Sequence, residues 1–432
     1  MFKAISSNLF KRQALHYWLI AAFGVETWCV TFGLRWQASI SFLTVVYPIM
    51  GIMISLGWLL LPQSSFALRT PKTISAKGLR RRAIAILLKT IALIYFSIEL
   101  FEGTPLSIEM ADMLPIMKVM ATRFYSGQLS HVYDKIPEIW GGIQPIYLPA
   151  MWMPFTAAIA LKIDMRWVTV GGLFLGFSLF LTLIRPFKRP YPVTLLFLFT
   201  AMLFWWLFKE DIYNFIPLTE EGIVIGYYSL LVLALLNGNQ WLIGFSIALC
   251  TLSRYSFIGW IPAFAIYLLW NKKWTAIGKI TLSGSITVLL LCILPFGIKP
   301  IQLIAELPNE YISFSKRVWQ DSGDFFFETM GFAKFFGPER IALQHQLLVY
   351  LSFIVPSLFV VVCLFLKNKY QNSIHNIPLA SLKLALVVFY NLIDVPYLYL
   401  FYTSSFISLL GLAYFVSVPN QHFVAIIEDD KE

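Results

Sequence analysis

An all-α protein that crosses a membrane many times is the fold class this sequence predicts, on three observations. Hydrophobic residues fill 58% of its 432 positions and charged residues only 13%, where soluble domains carry roughly 25% charged residues. Mean hydropathy over the whole chain is +0.72, which argues for many spans rather than one anchor. Apolar runs of about 17–25 residues, long enough to cross the hydrocarbon core, recur along the chain. The expectation is a single polytopic domain over 1–432 with about eleven or twelve transmembrane helices. It divides into N-terminal spans (15–101), an outer catalytic loop with interfacial helices (102–165), central spans (166–298), an outer loop (299–345), and C-terminal spans with a cytoplasmic tail (346–432).

The charges order these elements. Net charge is +10, but the basic residues sit in short loops, where they orient helices. Nucleic acid is therefore not an expected partner. Lys3, Lys11 and Arg12 precede a first span at 15–34, read as a start-transfer helix without a cleavage site. A second span at 40–61 leads to a loop with Arg69, Lys72, Lys77 and Arg80 to Arg82 and no acid. The positive-inside rule places that loop and the N-terminus in the cytoplasm. The span at 83–101 then exits, and everything from Glu102 lies outside.

Within the outer loop, apolar residues at 110, 113, 114, 117, 120, 121 and 124 have helical spacing. They predict a short helix, either lying on the outer membrane face or packed on protein. Residues 147–163 are apolar but broken by Pro149 and Pro154. Parity with the span at 167–184 and the basic stretch 185–189 makes them re-entrant or interfacial. Spans follow at 193–208, 222–236, 241–252, 257–270, 280–298, 346–366, 379–393 and 397–418, and the acidic tail 428–432 ends inside. Cys29, Cys250, Cys292 and Cys363 lie in apolar runs, without metal-like spacing, and no disulfide is expected.

The chemistry concentrates where polar residues meet span ends. Asp112 lies just past the outer end of a span that carries Glu99 and is followed by Glu102. A carboxylate there can act as general base on a hydroxyl or help hold a divalent metal. The competing reading is a helix N-cap, since Pro115 follows three residues later. Glu220 and Glu221, with Glu210 and Asp211, form a second acidic site, or else are solvated acids favoured by a helix dipole. Arg254, in the turn Ser253-Arg-Tyr-Ser256, is the candidate for pairing with a lipid phosphate; its alternative is snorkelling to the interface. Lys316 and Arg317, with Trp319, Asp321, Asp324 and Phe325 to Phe327, form a polar and aromatic group or an interfacial belt. No Walker loop, His-Glu-x-x-His or Gly-x-Ser-x-Gly motif occurs, which disfavours ATP-driven transport. The five histidines are scattered, so a histidine metal site is not expected.

The order of these features resembles the GT-C superfamily of integral-membrane glycosyltransferases, most nearly the family 87 type that uses polyprenyl-phosphate sugars such as mannose. The resemblance runs over 99–279. It rests on Asp112 in the first large outer loop, then Gly127-Gln-Leu-Ser-His-Val-Tyr133-Asp134, then Gln144-Pro-Ile-Tyr147-Leu-Pro149. Glu221-Gly222, Arg254 with Pro262, and Asn271-Lys-Lys-Trp274 continue it. Tyr-Leu-Pro stands where the family has Tyr-Pro-Pro, Glu-Gly stands for Gly-Gln, and the spacing from Gly127 to Tyr133 is stretched.

The resemblance implies transfer with inversion of a mannose-like hexose or a pentose from a polyprenyl-phosphate donor to an extracytoplasmic glycan or lipid acceptor. Asp112 would be the catalytic base or acceptor-orienting group, and Arg254 and Arg317 would hold the donor phosphate. Tyr133, Tyr147, Glu220 and Glu221 would face the sugar or acceptor. No cofactor is assigned; a divalent cation, Mg or Mn, is the candidate, with Glu220 or Glu221 as the acids that would bind it. The expected location is the inner (plasma) membrane, in contact with its lipids, with both termini cytoplasmic and the site on the outer face. Two other functions compete: a flippase or transporter of a lipid-linked saccharide, favoured if ionisable residues lie mid-span, and a ligase or polymerase of surface glycans. Glu26 is the main mid-span charge read from the sequence.

Overall fold

The computed structural model describes residues 2–31, 40–61, 76–109, 111–139, 141–183, 190–209, 215–366 and 375–417. Glu210, Asp211, the basic residues at 35, 69, 72, 185, 188, 189, 367 and 369, and the tail at 428–432 lie outside them. Among the described residues, regular structure is helical apart from one isolated bridge between Ile136 and Ile143.

The main helices are α1 (Phe2–Val30), α2 (Ile40–Leu60), α3 (Ala76–Gly103), α4 (Met113–Tyr125), α5 (Arg166–Leu183), α6 (Pro190–Leu207) and α7 (Glu221–Asn237). They continue as α8 (Gln240–Thr251), α9 (Trp260–Trp270), α10 (Trp274–Val288), α11 (Lys299–Ser322), α12 (Ile341–Phe365), α13 (Ile377–Leu392) and α14 (Leu400–Ser417). Ile40–Leu60, Arg166–Leu183, Trp274–Phe296 and Pro338–Phe365 are long and apolar enough to cross a membrane. Shorter apolar helices stand beside them, so among the described residues length and composition alone mark four of the eleven or twelve expected spans. Two of the shorter helices miss the criterion on length. α8 and α9 have 12 and 11 residues, about 18 and 17 Å at 1.5 Å per residue, against a hydrocarbon core of roughly 30 Å.

Close helix crossings depend on small residues. α5 and α7 meet where a Cβ on Gly172 would run into the backbone carbonyl of Gly222, and one on Gly222 into that of Thr169. The same device joins α8 to α10, where a Cβ on Gly244 would meet the carbonyl of Ile280. The turn from α7 to α8 places Gly238 at φ 66°, the left-handed conformation that glycine adopts without strain, and Asn239 caps α8 by accepting from the Leu242 amide at 3.1 Å.

Several elements depart from the sequence reading. α10 begins at Trp274, before the expected 280, and α12 begins at Ile341, inside the expected outer loop. That loop also contains α11, a 24-residue helix. α4 buries Leu114, Ile116, Met117, Met120 and Ala121 in a cluster with Trp152, Phe155 and Ala158, so of its two readings the one packed on protein applies. Residues 147–163 hold two short helices, Pro149–Trp152 and Phe155–Leu161, the second ended by Lys162 in a left-handed conformation.

Glu26 has a partner that the sequence reading missed. Lys383 Nζ lies 2.5 Å from Glu26 Oε1 and also donates to the Ser404 carbonyl and hydroxyl oxygens. Ser405 and Ser408 donate to the two Glu26 oxygens. Both charges are 0% exposed, and the network ties α1, α13 and α14.

Candidate functional site

The loops that carry the predicted residues are fastened before the site forms. Arg166, buried at the start of α5, pairs with Asp164 at 2.6 Å and donates to the carbonyls of Phe101 and Thr104, so the end of α3 is clamped to α5. This fixes the entry to the loop that leads to Asp112. Tyr227 on α7 donates to the Ala150 carbonyl at 2.8 Å, the Ala150 amide to Leu252, and Tyr255 to the Ile146 carbonyl. Those bonds hold Tyr147 against the ends of α7 and α8. Thr169 donates to the Thr219 carbonyl at 2.9 Å, which sets the turn carrying Glu220.

At the convergence stands Arg254. Its Nη2 lies 2.6 Å from Glu220 Oε1 and 2.5 Å from Glu221 Oε2. Thr403 donates to the other oxygen of Glu221. Both glutamates are 0% exposed, which overturns the reading of them as solvated acids; Arg254 is anchored to them rather than snorkelling. Among the described residues, two buried polar atoms in this trio, Glu220 Oε2 and Arg254 Nε, have no hydrogen-bond partner. Burial acts against the Arg254 charge, but Glu221 and Glu220 outweigh it and hold the guanidinium well above its ordinary pKa.

Half-buried tyrosines surround the trio. Tyr399 lies 6.0 Å from the Arg254 guanidinium and donates to Met113 Sδ at 3.1 Å, which links the start of α4 to the trio. Burial and the Glu220 and Asp112 charges raise the Tyr147 phenol well above its ordinary pKa. Burial, Asp112 and Tyr311 do the same to Tyr397. Burial raises Tyr311 also, with Arg254 opposing and Glu220 reinforcing. These phenols therefore stay protonated at neutral pH and present O–H donors.

Asp112 takes the N-cap position of α4 without a side-chain bond to the helix amides, so it is not a capping carboxylate. Asp112, Tyr147, Glu220, Glu221 and Arg254, predicted from separate segments, are thus one electrostatic neighbourhood. Two predicted residues stand apart. Tyr133 is buried among Trp152 and Phe296 and accepts from Trp152 Nε1 at 3.2 Å, a packing role. Arg317 is exposed on α11, while Ser315 on the same helix is buried. Nearby, Trp319 stacks on Phe326 with ring centroids 3.9 Å apart. Glu99 and Glu102 are exposed on α3.

Sequence reasoning missed Tyr311, Tyr397, Tyr399 and Thr403. Tyr397 and Tyr399 were absorbed into the apolar run at 397–418, although two tyrosines at the mouth of a span were a usable signal. It also missed the pair His345–Asp394, at 2.5 Å, which ties α12 to the loop between α13 and α14.

A divalent cation does not fit between Glu220 and Glu221 as they stand, because the Arg254 guanidinium already fills that position. Among the described residues no group of three or more histidine, cysteine or acidic side chains is placed to hold a metal. No protein-family model, no curated protein and no solved structure matches this chain.

Proposed function

We propose that this protein is a membrane-embedded glycosyltransferase of the GT-C kind, transferring a sugar from a polyprenyl-phosphate donor to an acceptor hydroxyl. The observation that carries the reading is the convergence of Asp112, Tyr147, Glu220, Glu221 and Arg254, drawn from four separate segments, near the ends of α7 and α8. A hydrophobic donor needs a site reachable from the bilayer, and the Arg254 turn joins two short apolar helices, α8 and α9. ATP is unnecessary because the phosphate ester is already activated.

In this mechanism the Asp112 carboxylate accepts the proton of the acceptor hydroxyl. The hydroxyl oxygen bonds to the anomeric carbon as the carbon–oxygen bond to phosphate breaks, and polyprenyl phosphate departs on the opposite face, which inverts the centre. Arg254 is the donor to the phosphate in this mechanism, with its Nη2 held by the glutamates. Two carboxylates beside one guanidinium hold Arg254 in place, and its remaining N–H groups are the donors offered to the phosphate. The tyrosines supply donors to sugar oxygens. No step runs through a metal, and the site is assigned to the outer face on the basic-loop pattern.

A second reading has its own observation. The Glu26–Lys383 pair puts two charges mid-bundle, the feature that favours a flippase of a lipid-linked saccharide. One experiment separates them. Purified protein and Asp112→Asn are given a panel of radiolabelled polyprenyl-phosphate sugars in detergent and in liposomes. Consumption of one donor by wild type, with loss of roughly 10²–10⁴-fold in folded Asp112→Asn, supports transfer. Movement of labelled lipid across the bilayer without consumption replaces it with the flippase.

A further inference from the structure

A cavity of about 210 Å³ opens at the far end of α7 from the Arg254 trio. α7 begins at Glu221 and ends at Asn237, so about 26 Å of helix separates the two places. Asn237, Gln240, Lys273, His375, Asn376 and Tyr414 line it, along with apolar side chains from the surrounding helices, and among the described residues no acid does. Its volume is far above the roughly 10–15 Å³ that one water needs.

Its polar side is cationic. Lys273 is half-buried, its ammonium 5.4 Å from the Tyr267 ring, and among the described residues it forms no salt bridge. Partial burial and the Lys273 charge together hold the His375 pKa below its ordinary value, so the two bases face each other at electrostatic range. An anion between them would relieve that repulsion. α8, α10 and α13 also begin here: Gln240 is the first residue of α8, and Lys273 and Asn376 are the N-cap residues of α10 and α13. Their dipoles add positive potential to that of the side chains. Asn376 is not available to a ligand through its amide nitrogen, which donates to the Trp58 and Leu61 carbonyls at the end of α2.

We propose that this cavity is a binding site for a phosphate group, held between Lys273 and His375, carried either on a membrane lipid whose chains follow the apolar wall or on a free small anion. It is separate from the proposed transferase site and stands whether or not that reading does.

The test uses the full chain in neutral detergent. One arm measures radiolabelled inorganic phosphate by equilibrium dialysis. The other measures retention of phosphatidylglycerol against phosphatidylcholine from mixed micelles by native mass spectrometry. The variants are Lys273→Gln with His375→Gln, Lys273→Arg, and Lys279→Gln, which removes an exposed charge outside the cavity. The expected result is saturable binding that falls about tenfold or more in the double variant and survives in Lys273→Arg and Lys279→Gln. Binding of both probes assigns the site to phosphate itself; binding of the lipid alone assigns it to a headgroup. No saturable binding of either probe, or equal loss in folded Lys279→Gln, overturns the proposal.

Discussion

Two buried charge clusters divide this molecule, and they differ in one respect. At Glu26–Lys383 each carboxylate oxygen and the ammonium has a partner, and neither residue is exposed. At Arg254–Glu220–Glu221 two buried atoms lack a partner, and half-buried tyrosines face the charges. Both clusters are costly to bury, since a charge leaves water without loss only if its pairing and remaining hydrogen bonds are complete. The closed cluster has the form of a staple between α1, α13 and α14. The open one keeps hydrogen-bonding capacity in reserve, as a site that must receive a ligand does.

The largest expected effect is on the staple. Lys383→Met leaves Glu26 buried and unpaired and should lower stability by roughly 3–5 kcal/mol, read as a fall in melting temperature in detergent. Adding Glu26→Gln should restore most of it. If the double variant melts no higher than Lys383→Met, the pair is not the structural unit described here.

The helix crossing that sets the open cluster comes next. Gly172→Val has no room beside Gly222, so overpacking should cost about 1–3 kcal/mol and displace the turn bearing Glu220. Unchanged melting with unchanged activity would mean that α5 does not position the site.

Glu220→Gln sharpens the contrast, because the matching change at Glu26 breaks a closed network. Here Arg254 keeps Glu221, so stability should move by no more than about 1 kcal/mol. Removing one of the two carboxylate charges beside Arg254 should strengthen donor binding, read as a lower Kd than wild type. A loss of donor binding would instead make Glu220 a direct contact to the sugar.

The smallest effect calibrates a half-buried cation that, among the described residues, forms no salt bridge. Burial pushes Lys334 down to about 8, and its ammonium donates to the Thr329 carbonyl at 3.1 Å. Its folded value lies below its unfolded one, so its contribution to stability is present above the ordinary 10.5 and lost as pH falls through about 8. Lys334→Met should therefore melt slightly higher than wild type at pH 7, and that gain should vanish by pH 10.5. A gain independent of pH would show that the methionine acts through packing alone.

The sequence alone determined that the chain is helical and apolar enough to enter a membrane, because composition and 18–25-residue runs report hydrophobic length directly. It also marked Asp112, Glu220, Glu221, Arg254 and Tyr147, since charged residues at span ends stand out against an apolar background. Only the tertiary structure decided that these five meet, that Glu220 and Glu221 are buried counter-ions to Arg254, and that Tyr133 packs in a core while Arg317 stays exposed. It alone supplied Tyr399, Thr403 and the Lys383 partner of Glu26, 357 positions away. Periodicity reports which face of a helix is apolar; it carries no information about which distant helix end that face meets. That choice was made by glycine crossings at Gly172 and Gly222 and by carbonyl bonds such as those of Arg166, which are long-range contacts with no local signature.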